Sequence, residues 1–265
     1  MPVQSFTKEN LNQLKDIQPE GWQPIAPVFQ FYLQSSFCTP IGFFMEEKLA
    51  GVGAVIFHRD TAWLAHIIVN PVYRNQGIGA QITKALIQHA ENKNCKTTSL
   101  LATPLGEPVY AKLGFKKELD YIFLQHPKPE NTINQSFLRY DDQYRKQILE
   151  LDFRVSGEDR TSLLEPHLSD SKIISLSRKI AGFYLPTLGE GLVVAEDPKT
   201  GIALLTSRLT PEKNRIAIPT ENKSALDFLL TRGYTEFLKG SRMYLGDKLH
   251  WQPHKLYSRI GGNLG

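Results

Sequence analysis

The sequence predicts an α+β protein with α/β character, built as two domains, each a mixed and mostly antiparallel central sheet flanked by helices. Three observations predict it. Residues 40–69 read as three successive strands parted by the short polar turns Glu46-Glu-Lys48 and Arg59-Asp60, the pattern of a meander. At Gly77 the period changes from that of a strand to that of a helix, and another strand follows at 97–102. Finally, Ala111-Lys-Leu-Gly114-Phe115 is matched by Leu230-Thr-Arg-Gly233-Tyr234, each after a strand and a short helix and before a long strand, so the second half reads as a diverged copy of the first.

Taken in order, Val3 to Phe6 forms a first strand, and Thr7 caps a helix carrying Leu11, Leu14 and Ile17. A second helix carries Ile25, Val28, Phe29, Tyr32 and Leu33; its aromatics, with Trp22, serve either as core or as a pocket wall. The strands Pro40 to Met45, Leu49 to His58 and Thr61 to Val69 come next. In the last of them Trp63, Ala65, Ile67 and Val69 alternate with Leu64, His66 and Ile68, so both faces are largely apolar, as a covered central strand requires. Asn70-Pro71 stops this strand, and the helix from Gly77 turns Ile78, Ile82, Ala85, Leu86 and His89 to one face. Thr97 to Ala102 is a strand, Glu107 to Leu113 a short helix closed by Gly114, and Phe115 to Gln125 a strand that completes the sheet. The polar, proline-bearing stretch 127–136 reads as a linker between domains at 1–126 and 137–265. Beyond it the pattern gives helices at 141–153 and from Arg160, strands at 172–176, 179–185 and 191–195, a helix at 200–209, a strand at 215–218 and a helix at 224–231.

The link Arg74-Asn-Gln-Gly-Ile-Gly79 joins the apolar strand to the long helix. A helix start presents backbone N–H groups without intrahelical partners at the positive end of the dipole, so it attracts an anion. Gly77 and Gly79 carry no Cβ to hold a bulky phosphate away, and Arg74 adds a charged donor; a diphosphate suits the place. No G-x-x-x-x-G-K-[ST] occurs, and a dinucleotide fingerprint would want a small residue at Ile82 and a tighter turn after the strand.

Arg74-x-x-Gly77-x-Gly79 between a strand and an amphipathic helix resembles the acetyl-CoA pyrophosphate loop of the GNAT superfamily of N-acetyltransferases. The element order of residues 1–126 is the one this resemblance implies. It implies acetyl-CoA as co-substrate, held by Arg74, Asn75, Gln76, Gly77, Ile78, Gly79 and Ala80, with Ile67, Ile68 and Val69 pairing with the pantetheine arm. Tyr110, four residues before Gly114, stands where many members keep a tyrosine that protonates the departing thiolate, and a phenol is protonated at neutral pH. Thr103 stands where an asparagine often touches the cofactor; a threonine still forms hydrogen bonds. His66, beside the implied pantetheine contacts, is a candidate base, with Glu46, Glu47, Glu118 or an ordered water as rivals. The second half shows only Asp197-Pro-Lys-Thr-Gly201 where the loop would lie, has Leu229 in place of the tyrosine, and is expected to hold no acetyl-CoA.

These features imply an N-acetyltransferase that moves an acetyl group from acetyl-CoA to a primary amine of a small molecule or peptide by direct attack. The alternative is a non-catalytic sensor that binds CoA. A net charge of +4 without a basic stripe argues against nucleic acid, no apolar run is long enough for a membrane span, and no His/Cys/Asp cluster has metal spacing. Cys38 and Cys95 lack paired spacing, so reduced thiols and a cytoplasmic location are expected.

Overall fold

A computed structural model of the chain describes residues 2–126 and 136–265, so all but the last residue of the expected linker lies outside the described residues. Contacts group the chain into two units: Met1–Lys117 with Met243–Lys248 and Leu264, and Glu118–Arg242 with Leu249–Asn263 and Gly265.

In the first unit, β1 (Val3–Ser5) leads to a 3-10 helix over Lys8–Asp16 where a capped helix was expected. Helix α1 (Ala26–Gln34) buries Phe29 and Tyr32, two of the aromatics on its predicted apolar face. The meander is present as β2 (Cys38–Met45), β3 (Lys48–His58) and β4 (Thr61–Val69), with β1 to β4 paired antiparallel in sequence order. Helix α2 (Ile78–Asn92) returns the chain to β5 (Thr97–Ala102), which lies parallel to β4. Ile78, Ile82, Leu86 and Ala90 of α2 are buried with Ala50, Val55, Leu64, Leu100 and Met243 in one apolar core. Space is tight beneath the helix: a Cβ on Gly51 or Gly53 would come within 2.8 Å of Ile82. The short helix α3 (Glu107–Lys112) ends before Gly114, at φ +93°, and Phe115 packs back into the core. The last residues of this unit's sheet come from the far end of the chain, with Met243 buried and Leu245 packed against the same core.

In the second unit, β6 (Lys116–Gln125) is followed by α4 (Arg145–Ser156), α5 (Thr161–Leu164), β7 (Lys172–Leu176), β8 (Lys179–Leu185), β9 (Leu192–Ala195) and α6 (Pro198–Arg208), and it pairs antiparallel with the strand Arg215–Pro219 that comes next. Strand β10 (Arg215–Pro219), helix α7 (Lys223–Thr231), strand β11 (Thr235–Gly246) and strand β12 (Leu256–Ser258) complete the chain. Within this unit the order β11-β6-β10 forms one set of neighbouring strands and β12-β9-β8-β7 a separate antiparallel sheet. The three-residue β12 has no counterpart among the strands the periodicity predicts, because a run this short carries no period. Among the described residues no helix is long and apolar enough to cross a membrane, and no three His, Cys, Asp or Glu are grouped to hold a metal.

Candidate active site in the first unit

Strands β4 and β5 are in register only from Thr61 opposite Thr97 to Leu64 opposite Leu100. Beyond that point β4 runs on to Val69 without β5 beside it. The ladder on the other edge decides which backbone groups face the resulting gap. The Asn70 N–H donates to the Ala50 carbonyl of the β3 side at 2.9 Å, so by alternation Ile68 also faces β3, while Ile67 and Val69 turn their N–H and C=O groups away from it. Arg74 marks the same direction, since its Nε donates to the Val69 carbonyl at 3.2 Å. Of the three strand residues singled out in the sequence, Ile67 and Val69 therefore turn their backbone edges to the gap, with the Val69 carbonyl taken by Arg74, and Ile68 is buried with its polar backbone in the ladder.

The gap opens toward the start of α2 along the chain. Gly77 is the N-cap at φ +76°, and Asn75 is also left-handed at +63°. No heavy atom lies within 4 Å of where a Gly77 Cβ would stand, so its glycine answers to backbone conformation rather than to packing. At Gly79 the same test meets a Val69 methyl at 3.6 Å. The Gln81 N–H donates to the Gly77 carbonyl at 3.1 Å, which leaves Ile78, Gly79 and Ala80 ahead of it with amides that have no acceptor inside the helix. Arg74, Asn75, Gln76 and Gly77 line this start from the solvent side, and Ile78 is buried as the first core residue of the helix.

His66 sits where β4 bulges: Ile68 faces Val52 and Ala65 faces Ala54, so His66 and Ile67 together oppose Gly53. Its φ of +48° is left-handed, a conformation that a histidine adopts at a cost in strain. The imidazole Nδ1 lies 2.8 Å from the Tyr32 hydroxyl. The rings of Tyr32, Phe29 and Trp22 surround it with centroids at 5.8, 6.0 and 6.2 Å, all near edge-on. Burial among these uncharged rings drives the imidazole pKa down to about 4, so it is neutral at pH 7. The partnership with Tyr32, 34 residues away, was not legible in the sequence beyond the aromatic face of its helix.

Tyr110 lies on α3 with its ring 6.0 Å from that of Phe115, and burial pushes its phenol up to about 12, which keeps the proton in place. Thr103 Oγ1 accepts from the Gly106 N–H at 3.3 Å, and its carbonyl accepts from Glu107 at 3.0 Å, so this residue holds the start of α3. The rival bases are placed elsewhere. Glu46 and Glu47 form the left-handed turn between β2 and β3, and Glu118 is half-buried in the second unit, where its carboxylate accepts from Arg242 Nε at 2.9 Å.

The equivalent places in the second unit are built differently. On the edge away from β8, β9 is paired with β12, with Leu256 opposite Val194. Asn222 caps α7 by accepting from the Ala225 N–H at 3.0 Å, and its Nδ2 donates to the Leu256 carbonyl at 2.9 Å. The buried Tyr257 ring lies against Gly201 so closely that no side chain fits there. At the start of α6, Asp197 accepts from the Thr200 N–H at 3.0 Å and from its hydroxyl at 2.7 Å. The position of Tyr110 is taken by the buried Leu229.

Comparison with known proteins bears on the family and the fold. The acetyltransferase (GNAT) domain family matches residues 22–123, and a second family of the same description matches residues 148–258. A solved structure from Pyrococcus horikoshii, assigned as an acetyltransferase, superposes with a TM-score of 0.85 at 20% identity over 99% of this chain and 95% of its own. A tandem GNAT protein from the clavulanic acid biosynthesis pathway superposes at 0.65 with 13% identity, over 92% of this chain and 98% of its own. A GCN5-related N-acetyltransferase from Anabaena variabilis gives 0.54 at 12% identity, over 91% of this chain and 71% of its own. No curated protein matches the sequence. With two matched domains that together span most of its length, the chain belongs to the GNAT acetyltransferases and carries two of their domains in tandem.

Proposed function

We propose that the protein is an N-acetyltransferase that transfers an acetyl group from acetyl-CoA to a primary amine, using the first unit alone to hold acetyl-CoA. The observation that carries this reading is a strand edge left unpaired beyond Leu64, leading into a helix start whose first amides have no acceptor. The residues fit the ligand: an extended amide-bearing arm can pair with Ile67 and Val69, and a diphosphate can take the N–H groups of Ile78, Gly79 and Ala80. On this reading Arg74 exchanges the Val69 carbonyl for the phosphates, with the exposed Asn75 and Gln76 beside it. Thr103 enters through the start of α3, as a neighbour of Tyr110.

Acetyl-CoA, consumed in the reaction, supplies a thioester carbon that an amine can attack. The new C–N bond forms as the C–S bond breaks, the amine gives up a proton, and the departing thiolate takes one. Tyr110, a phenol protonated at neutral pH and held more firmly so by burial, supplies the thiolate proton and recovers one from water before the next cycle. The proton lost by the amine passes to water, since the neutral His66 imidazole is a weak base. The acceptor is an amine of a small molecule or peptide.

Isothermal titration with acetyl-CoA and thiol release over a panel of amines test this reading. One binding event per chain and release with at least one amine are expected. Binding without release from any amine would favour a CoA sensor, and no binding would end the proposal.

A further inference from the structure

The His66 site carries more than the proposed acetyl transfer has used, and the role inferred for it rests on that transfer. His66 occupies the bulge, one residue before Ile67, on the stretch of β4 that β5 does not cover. A left-handed φ of +48° at a histidine is a strained choice where glycine or asparagine would relax the chain, and such strain persists where side-chain placement matters. Its Nδ1 is engaged by the hydroxyl of Tyr32, which is fully buried on α1, whereas Nε2 has no hydrogen-bond partner among the described residues. The groups facing the ring are Trp22, Phe29 and Tyr32, all uncharged.

The partners decide which nitrogen carries the proton. A phenol O–H is a stronger donor than a neutral imidazole N–H, and an imidazole nitrogen is a stronger acceptor than a phenol oxygen. Tyr32 therefore donates to Nδ1, and the ring proton resides on Nε2. A charged imidazolium would have to donate from both nitrogens inside this apolar cage, without a carboxylate among the surrounding rings. We infer that His66 acts as a neutral Nε2–H donor to the acetyl carbonyl oxygen as negative charge develops on it, and that Tyr32 is the positioning residue that fixes this tautomer. The chemistry resembles that of other neutral imidazoles that polarise a carbonyl without taking a proton. It revises the role expected for His66 from base to electrophile. No proton leaves or reaches the ring during the cycle, so the proton balance given above is unchanged.

The test reads the tautomer directly, without an acceptor. The full chain labelled with 15N-histidine has seven imidazoles, and His66→Gln identifies the signals of His66. Two-bond 1H–15N spectra are expected to show His66 neutral with the proton on Nε2 from pH 5 to 8, both alone and with acetyl-CoA added. Tyr32→Phe is expected to release the ring into a mixture of tautomers and, in thiol release with an active amine, to slow turnover about tenfold or more while leaving acetyl-CoA affinity unchanged. His66→Ala should cost about 100-fold in kcat, and His66→Gln, which keeps an N–H donor, should recover part of it. A proton on Nδ1, or titration of His66 near the ordinary imidazole value, overturns the inference while leaving acetyl-CoA binding intact. Absence of acetyl-CoA binding would instead strike the proposed function, and the tautomer result would still stand or fall by itself.

Discussion

The two units present the same local problem, a helix that starts after an apolar strand, and solve it in opposite ways. At α2 the N-cap is a glycine with nothing around it, and the first amides await an acceptor. At α6 the N-cap is Asp197, whose carboxylate is already bonded to Thr200. The strand edges diverge in the same sense: β4 is left uncovered after Leu64, whereas β9 is covered by β12. A helix start without acceptors and an open strand edge cost stability, so a chain gains stability when its own groups fill both. The second unit has filled them with a carboxylate, a three-residue strand and the ring of Tyr257.

Breaking the plug should have the largest effect. Tyr257→Ala leaves a ring-sized void against Gly201 and is expected to cost about 3 kcal/mol or more in denaturant unfolding. Calorimetry on this variant should still find one acetyl-CoA per chain, because Asp197 continues to occupy the helix start; a second binding event would show that the ring alone closed the site. Removing the proposed acid from the first unit comes next. Tyr110→Phe makes that position apolar, like Leu229, and should lower kcat for thiol release by about 100-fold or more with little change in acetyl-CoA affinity. An unchanged rate would take Tyr110 out of the chemistry.

A sharper version moves the second unit's solution into the first. Gly77→Asp places a carboxylate at the start of α2 and should weaken acetyl-CoA binding about 100-fold, roughly 2.7 kcal/mol. Should affinity survive, the diphosphate does not bind there. The smallest effect is expected from Asp197→Ala, which removes a cap for about 1 kcal/mol of stability. Burial by itself would raise the Asp197 carboxyl, but the hydrogen bonds from Thr200 and the Lys199 amide outweigh it and hold the group below its ordinary value of 3.8. The cap is then fully formed above that pH and is lost as pH falls through the lower folded value. The stability gap between wild type and Asp197→Ala should accordingly close in acid and be constant near neutrality.

Much of this was readable without coordinates. Strand β4 runs over the residues its alternation predicts, Thr61 to Val69, and α2 begins next to Gly77, because apolar periodicity and a glycine before a helix are local properties. The first helix was less legible: Thr7 opens a 3-10 segment, since the apolar residues Leu11, Leu14 and Ile17 suit a three-residue repeat as well as an α-helical one. The bulge at His66 was hidden, as was its bond to Tyr32, because a period of two carries no mark of an extra residue and hydrogen bonds across 34 positions leave none in the sequence.

By itself the sequence determined the meander, the glycine-marked helix start with Arg74 before it, and the lack of that motif in the second half, all of which depend on neighbours along the chain. Only the tertiary structure decided that Ile67 and Val69 face the gap while Ile68 does not, that His66 is neutral, and that Leu256–Ser258 lies along β9. The reason is physical: strand pairing, burial and proton affinity are set by groups distant in sequence, and their energies appear only when the chain brings those groups together.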